Sequence, residues 1–302
     1  MNRVATIPMQ RNLSEAIQRS QQKLSATQLQ LANGKKALDY ASLGTETVRH
    51  LSARTMVARH EAHSTVSKRL TTTLAIYDAH LTGVDTAVGS LRTEILTAVG
   101  TRQSAGLQDA IEQAFHQFRS AMNGDEAGLP LFAGSRTDEL PFKPATLADT
   151  IGLAPADAFS NDKIKASGRV SDGIDVDYGL LADEVGTDLF MAFRKLAEAG
   201  PIGDVLTDAQ VTALEDAIGA IDVGLRQMRA VSADNGRKQA QVETLGIRAT
   251  DRTILLKGLI SENEDADLGQ VAVDLAQQQT TLRASFSVFS QLSTMTLSEY
   301  LR

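Results

Sequence analysis

The stretch VSKRLTTTLAIYDAHLTGVDTAVGSLRTEI, residues 66–95, carries the most regular apolar pattern in the chain. Its apolar residues recur at steps of four and three, which alternate from Leu70 onward: Val66, Leu70, Leu74, Tyr77, Leu81, Val84, Val88, Leu91 and Ile95. This spacing is typical of a helix that buries one stripe against another helix. A helix from about 45 to 99 would be roughly 80 Å long at ~1.5 Å per residue, which indicates an elongated architecture. We interpret this stripe as core within one chain.

A second long helix is predicted in the other half of the chain. It follows a capping box in TDAQ, residues 207–210, and its pattern continues less regularly to Ile260. The apolar residues at its start are Val211, Leu214, Ile218, Ile221, Leu225 and Met228. Two such helices, separated by a shorter middle segment, favour an antiparallel hairpin.

Both ends of the chain carry a seven-residue apolar repeat. The N-terminal repeat is Ile17, Leu24, Leu31 and Leu38, and the C-terminal repeat is Leu268, Leu275, Leu282 and Phe289. Asn12 with Glu15 is interpreted as the start of the first helix, and Asn33-Gly34 as its end. The predicted fold is mainly α: an elongated antiparallel helical hairpin or coiled-coil bundle with paired terminal helices.

The middle of the chain differs from the rest in composition. A short helix is predicted over 105–123, and a cluster of prolines follows it. The segment KIKASGRVSDGIDVDYGL, residues 163–180, has two β-compatible runs around Asp172-Gly173, a favoured hairpin turn. We interpret this region as a small β-containing insertion that tolerates deletion of 161–179, and we expect a helix from about 187 to 199.

The predicted domain organisation therefore has five segments. They are an N-terminal assembly helix (1–44), the first half of the long-helix bundle (45–129), the β-containing insertion (130–186), the second half of the bundle (187–263) and a C-terminal assembly helix (264–302).

Composition excludes several classes of function. The formal charge of −7 argues against binding nucleic acid or an anionic membrane through bulk electrostatics. The chain contains no cysteine, so disulfides and thiol chemistry are excluded. Neither a cleavable signal peptide nor a membrane span is visible, and no phosphate-binding loop, dinucleotide fingerprint or nucleophile elbow occurs. We predict a non-enzyme without a cofactor or metal.

Two polar clusters have a structural interpretation. His60 and His63 have no evident third metal ligand, and a solvated helical face is favoured for them. The acidic run at 262–267 lacks the glycine and distal glutamate of a calcium loop. It is better interpreted as a charged start to the last helix, where carboxylates complement the helix dipole.

The terminal stripes are poorly self-sufficient. Gln278 and Ser285 place polar groups inside the C-terminal stripe, and ordering two whole helices opposes the modest apolar burial of a lone pair. Further buried surface is needed, and other copies of the chain or close relatives would supply it. The predicted assembly interface comprises Ile17, Leu24, Leu31, Leu268, Val271, Leu275, Leu282, Phe286, Phe289 and Leu292.

Three stretches resemble the flagellin family of bacterial flagella. QLQLANGKKALDY at 28–40 is similar to the end of that family's first helix, and the segment beginning ISENEDADLGQ at 260 is similar to its C-terminal region. LPLFAGSRTDELPF at 129–142 resembles the members that join hook to filament. The resemblance covers about 1–142 and 205–302. The chain departs from the family pattern at 39–46, where a Pro-Ser-Asp-Asp-Pro-like turn is usual.

The resemblance implies a structural subunit that is exported through the flagellar type III channel and polymerises outside the cell with its terminal helices inside a tube. The implied partners are further copies of the chain, a neighbouring hook-associated protein, flagellin and an export chaperone. Two alternatives remain open: a filament-forming flagellin, and a non-flagellar coiled-coil interaction protein.

Overall fold

The computed structural model describes residues 3–37 and 47–300, and within them the side chains of residues 8, 11–37 and 47–291. The helices are α1 (Arg3–Asn33), α2 (Thr47–Thr101), α3 (Leu107–Met122), α4 (Pro155–Ala158), α5 (Ala182–Glu198), α6 (Asp208–Glu264) and α7 (Leu268–Tyr300). The strands are β1 (Asp125–Glu126), β2 (Leu129–Pro130), β3 (Ser167–Ser171) and β4 (Ile174–Asp177), and they form two antiparallel pairs, β1–β2 and β3–β4. The fold is mainly α, as predicted. No described helix is long and apolar enough to cross a membrane.

The chain divides into two compact units. We call residues 59–251 the central unit, and residues 1–58 with 252–302 the terminal unit. The central unit is continuous in sequence, whereas the terminal unit is built from both ends of the chain.

In the central unit, α2 and α6 run antiparallel. Arg92 binds Asp222 through two hydrogen bonds of 2.5 and 3.0 Å, and further along Asn235 Nδ2 donates to the carbonyl of Leu74 over 2.8 Å. The stripe predicted at 66–95 is buried on the inner side of α2, from Leu70 to Ile95. Its interpretation as core within one chain is confirmed.

The core of the central unit is aromatic and comes mostly from the segment between the long helices. Phe118 and Phe142 lie 5.2 Å apart between ring centroids, and Phe115 and Phe193 lie 5.5 Å apart, both pairs edge to face. Such offset contacts are the favoured geometry for aromatic pairs. The fully buried rings are Phe115, Phe118, Phe132, Phe142, Phe190 and Phe193.

The β-containing insertion is therefore not peripheral. Strands β3 and β4 form the predicted hairpin, with Gly173 at φ +72° in its turn. Val170 and Val176 of this hairpin are buried against Leu70, Leu74 and Val242 of the long helices. The expectation that 161–179 carries little of the core is wrong, because alternate residues of both strands close over the helix pair.

Helix α5 begins at Ala182 rather than near 187. Gly186 lowers the helix propensity of this segment, which hid the earlier start. A Cβ at Gly186 would lie 3.1 Å from both Met122 Sδ and Phe118 Cζ, so glycine permits the close packing against α3 without a shift of these side chains.

Some of the predicted helix boundaries agree with the structure and others do not. Thr207 and Gln210 form the predicted capping box, with Thr207 N donating to Gln210 Oε1 over 3.1 Å and Gln210 N to Thr207 Oγ1 over 3.3 Å. Helix α1 ends at Asn33 as predicted, and Gly34 has φ +69°. Asn12 does not start α1, because the helix already begins at Arg3. The departure at 39–46 lies outside the described residues.

Candidate assembly interface

Helices α1 and α7 pair within the terminal unit, as predicted; we call them the terminal pair. They run antiparallel, because Lys35 after α1 bridges Asp265 before α7, while Ser20 and Lys23 line the same groove as Gln277 and Gln278. This groove has a volume of about 510 Å³. The repeats at the two ends of the chain therefore face each other.

The seam between the two helices follows a heptad spacing, but not along every residue that was predicted. On α7 the inward residues are Val271, Leu275, Gln278, Leu282, Ser285 and Phe289, at alternating steps of four and three. On α1 they are Leu13, Ile17, Ser20, Leu24, Thr27 and Gln30. Polar and small residues thus occupy half of the α1 seam and a third of the α7 seam. Those on α1 were not predicted, because the prediction was based on the spacing of apolar residues.

The predicted interface residues separate into two groups. Ile17 and Val271 are buried, and Leu24, Leu275, Leu282 and Phe289 are half-buried, all of them within the seam. Leu31, Leu268 and Phe286 are 40%, 50% and 46% exposed. Leu31 and Leu268 continue the heptad spacing of the seam at the base of the pair, whereas Phe286 lies outside that spacing. The side chain of Leu292 lies outside the described side chains. Only the first group is shielded from solvent within one chain.

Among the described residues, the terminal unit has more exposed large apolar side chains than the central unit. Of the twenty exposed large apolar side chains among the described residues, eleven lie in the terminal unit, which is the shorter of the two. They are Leu29, Leu31, Val48, Leu51, Met56, Ile254, Leu255, Leu268, Val273, Phe286 and Val288. A concentration of exposed apolar residues marks an interaction surface in soluble proteins.

The seam also contains an unsatisfied polar group. Gln278 Oε1 is buried and has no hydrogen-bond partner among the described residues. Thr27, in contrast, is buried with its hydroxyl donating to the carbonyl of Lys23 over 3.0 Å. A buried acceptor without a donor weakens the pair, because its lost hydration is not replaced.

The loops at the base of the terminal pair are joined by backbone and side-chain contacts. Ala266 N donates to the carbonyl of Gly34 over 2.9 Å, and Lys35 Nζ donates to Asp265 Oδ1 over 2.6 Å. The hydrogen bond from Lys35 lowers the pKa of the Asp265 carboxyl, and its reciprocal effect raises the pKa of Lys35. Sequence reasoning assigned Asp265 only to a helix start, since its partner lies 230 residues away.

The charged-start interpretation is wrong for Glu262 and Glu264, which lie in the last turn of α6. Asp267 does cap α7, as that interpretation predicted. Its Oδ1 accepts hydrogen bonds from Gly269 N over 2.9 Å and from Gln270 N over 3.2 Å. These are two of the donors that a helix start leaves without an internal partner.

His60 and His63 differ in their burial. His63 is buried, with Nε2 3.9 Å from Asp172 in the turn of the β3–β4 hairpin, whereas His60 is half-exposed. The interpretation of a solvated face is therefore wrong for His63, because the hairpin covers that side of α2. Within the part of the chain that the structure describes, no group of three or more His, Asp or Glu side chains is arranged to hold a metal ion.

The stretch LPLFAGSRTDELPF is anchored inside the central unit. Tyr77 Oη donates to the carbonyl of Leu131, and Asn123 binds the backbone of Phe142 on both sides, donating to its carbonyl over 3.0 Å and accepting from its amide over 2.9 Å. Burial raises the pKa of the Tyr77 hydroxyl to about 12. Sequence reasoning saw Asn123 only as a helix end, and the motif's role as core was not visible.

The architecture is that of an antiparallel long-helix hairpin with a compact α/β segment between its helices and a pair of terminal helices. Solved structures with this fold include a protein assigned as a flagellar hook-associated protein from Vibrio parahaemolyticus, with a TM-score of 0.60 and 15% identity over 72% of this chain and 97% of that one. They also include FlgL of Bacillus cereus, with a TM-score of 0.56 and 14% identity over 70% of this chain and 98% of that one. At these identities the likeness establishes the fold. No protein-family model and no curated protein sequence matches the chain.

Proposed function

We propose that this protein is a structural subunit of the bacterial flagellum that joins the hook to the filament by self-assembly through its terminal helices. The observation that carries the proposal is the exposed apolar surface of the terminal pair. Leu31, Val273 and Phe286 are 40%, 61% and 46% exposed, so the pair that one chain forms still leaves apolar surface to be covered.

This division of residues gives the proposed interface two layers. The seam residues Ile17, Val271 and Leu282 hold the pair together within one chain. The exposed residues Leu31, Leu268 and Phe286 then contact neighbouring subunits, and covering them supplies the apolar burial that the seam lacks because of Gln278 and Ser285.

Two further observations support the flagellar assignment. The chain shares its fold with a protein assigned as flagellar hook-associated and with FlgL. LPLFAGSRTDELPF, which resembles the members of the flagellin family that join hook to filament, is also the segment that Tyr77 and Asn123 anchor in the core. The motif is thus part of the framework of the central unit.

The proposal implies a location and a set of partners. The subunit leaves the cell through the flagellar type III apparatus and assembles extracellularly into a short tube. Its partners are further copies of itself, a neighbouring hook-associated protein, flagellin and an export chaperone. Its role is structural and involves no catalysis or cofactor.

The alternative within the same family is a filament-forming flagellin, and the alternative outside it is a coiled-coil interaction protein. LPLFAGSRTDELPF favours the junction role over the first. The fold likeness to two flagellar proteins favours a flagellar role over the second.

The assignment is tested by labelling an epitope-tagged copy in intact flagella. A junction subunit gives signal at the hook end alone, whereas a filament subunit gives signal along the whole filament. A protein absent from purified flagella, in cells that swim normally after its gene is deleted, would contradict both flagellar assignments.

The interface is tested separately with Phe286→Asp. Because Phe286 is 46% exposed in the single chain, the purified variant should keep the wild-type circular dichroism and urea transition. In cells it should be exported and fail to incorporate. Gln279→Glu, an exposed change on the same helix, is the matched control and should incorporate normally.

A further inference from the structure

Glu264 occupies a particular place in the terminal unit. It is the last residue of α6, and its side chain is only 12% exposed. The carboxylate lies 3.1 Å from Lys35 Nζ, which follows α1, and 2.5 Å from both His50 Nε2 and Arg54 Nη2 on the first turns of α2. One carboxylate therefore contacts basic groups from two other segments of this unit.

The backbone of Glu264 binds the same loop as its side chain. Lys36 N donates to the carbonyl of Glu264 over 2.7 Å, next to the hydrogen bond between Ala266 N and the carbonyl of Gly34. Lys36 Nζ also donates to the carbonyl of Glu262 over 2.6 Å. Residues 34–36, directly after α1, are thus held against the link between α6 and α7 by side-chain and main-chain contacts together.

These contacts determine the axial register of the terminal pair. Lys35 lies two residues after the end of α1, and Glu264 lies four residues before the start of α7. Sliding α1 along α7 by one helical turn, about 5.4 Å, would separate Lys35 from Glu264 and break the backbone bridge. The seam alone specifies the register weakly, since small and polar residues such as Ser20, Thr27 and Ser285 interrupt its apolar repeat.

Because Glu264 is mostly buried, its ion pairs affect stability more than ordinary surface ion pairs do. Exposed ion pairs contribute little to stability because water and salt screen them. A mostly buried carboxylate that loses its basic partners is strongly unfavourable, so the partners and the carboxylate remain together or separate together.

We propose that Glu264 is a positioning residue that fixes the register of α1 on α7 and couples the ordering of the two helices. The two helices hold one register when this carboxylate is ionised, and they lose it together when the carboxylate is neutral. The proposal does not depend on the flagellar assignment, since it concerns contacts within one chain.

The charges around Glu264 give the coupling a defined pH dependence. Burial disfavours its ionised form, but hydrogen bonds from Lys35 and Arg54, together with the charges of Arg54 and His50, outweigh burial and hold the pKa of Glu264 below the usual 4.5. Asp265, the next residue and the second carboxylate that Lys35 contacts, also has a lowered pKa because of its hydrogen bonds from Lys35 and Ser261. A carboxyl whose pKa is lowered in the fold contributes stability above its unfolded pKa and loses it as the pH falls through the folded pKa.

The experiment measures the register directly with two spin labels on the full-length chain. The protein has no cysteine, so cysteines introduced at Gln18 on α1 and Gln279 on α7, both exposed, are the only labelling sites. Wild-type protein should give one narrow distance distribution at pH 7 that broadens as the pH falls below about 4.5. Glu264→Gln should give the broad distribution already at pH 7, without the narrowing between acid and neutral pH.

Matched variants separate coupling from general destabilisation. Glu262→Gln removes the same charge from an exposed residue two positions earlier and should behave as wild type. Lys35→Met removes one basic partner and should broaden the distribution at pH 7, which keeps the test usable if Glu264→Gln fails to fold. A narrow wild-type distribution in both Glu264→Gln and Lys35→Met overturns the proposal. So does an equal broadening in Glu262→Gln.

Discussion

Tyr77 Oη donates a 2.6 Å hydrogen bond to the carbonyl of Leu131, which joins α2 to the segment that follows the β1–β2 hairpin. Both residues are buried, and the Tyr77 ring packs edge to face on Phe132 with 5.0 Å between centroids. One side chain thus fixes the direction in which the chain leaves the hairpin and enters the aromatic core. Several consequences of this contact and of others in the fold can be measured.

Tyr77→Phe should destabilise the central unit. The change leaves the carbonyl of Leu131 buried without its donor, at a cost of about 1–3 kcal/mol. Urea unfolding followed by circular dichroism measures the loss. Tyr178→Phe is the control, because Tyr178 is only half-buried and its change should cost less than about 0.5 kcal/mol. An equal loss of unfolding free energy in the two variants would show that the hydrogen bond to Leu131 adds nothing to the stability of the central unit beyond the effect of a half-buried tyrosine hydroxyl.

The same hydroxyl gives a prediction at alkaline pH. Burial raises the pKa of Tyr77 from 10.0 to about 12, so the folded state binds its proton more tightly than the unfolded state. Its contribution to stability is complete below pH 10 and is lost as the pH rises towards 12. The difference in ultraviolet absorbance titration between wild type and Tyr77→Phe should report a tyrosine with a pKa of about 12. A difference titration centred at pH 10 would contradict this.

Gly124→Ala should perturb the contact between α2 and the end of α3. A Cβ there would lie 2.5 Å from His80 Nε2 and 3.1 Å from the carbonyl of Ala121, so the His80 ring beside Phe132 must shift. Overpacking of this kind costs about 1–3 kcal/mol. Gly89→Ala is the control, since no atom lies within 4 Å of its new Cβ in α2, and it should be neutral or slightly stabilising. Thermal unfolding of both variants checks the pair.

Removing the β3–β4 hairpin should damage the central unit. Deletion of 161–179 would uncover Leu70 and Leu74, which Val170 and Val176 now bury. The milder Val170→Ala should cost about 1–3 kcal/mol, because it leaves a cavity at a fully buried position. Ile174→Ala on the exposed side of the hairpin is the control. A deletion variant with the wild-type melting temperature would restore the interpretation of a dispensable loop.

Leu282→Asp should disrupt the seam of the terminal pair. Leu282 is half-buried between α1 and α7, and a carboxylate there would lose hydration among the apolar residues of the seam. If the proposed function holds, cells carrying the variant should export it, lose stable attachment of the filament and shed filament protein into the medium. Swimming assays and immunoblots of the medium measure this, with Gln279→Glu as the control. Normal swimming would count against a role of the seam in assembly.

The long helices were predictable from the sequence because each carries its own periodic stripe. The capping box at Thr207 and the hairpin at Asp172-Gly173 were predictable for the same reason: their signals lie within a few residues. The contacts between Glu264 and Lys35 and between Asn123 and Phe142 have no local signal, and neither does the burial of His63 under the hairpin. They depend on tertiary placement, which residue spacing along one helix does not encode.

The same limit applies to the candidate interface. The apolar repeats identified the seam at Ile17, Val271 and Leu282. They did not separate residues that the pair buries from those that it leaves exposed, such as Leu31 and Phe286, because all are apolar. The seam positions on α1 filled by Ser20 and Thr27 were invisible to a search for apolar periodicity.

The construction of the terminal unit from both ends of the chain has a consequence for the order of folding during synthesis. Lys35 meets Asp265 across 230 residues, so α1 leaves the ribosome long before its partner exists. Closing a loop of that length costs entropy that only the completed contacts can offset. The central unit, continuous from 59 to 251, can reach its native state while α7 is still being translated. A truncated chain that ends at residue 267 and has left the ribosome should therefore protect the central unit from protease and leave α1 open to cleavage.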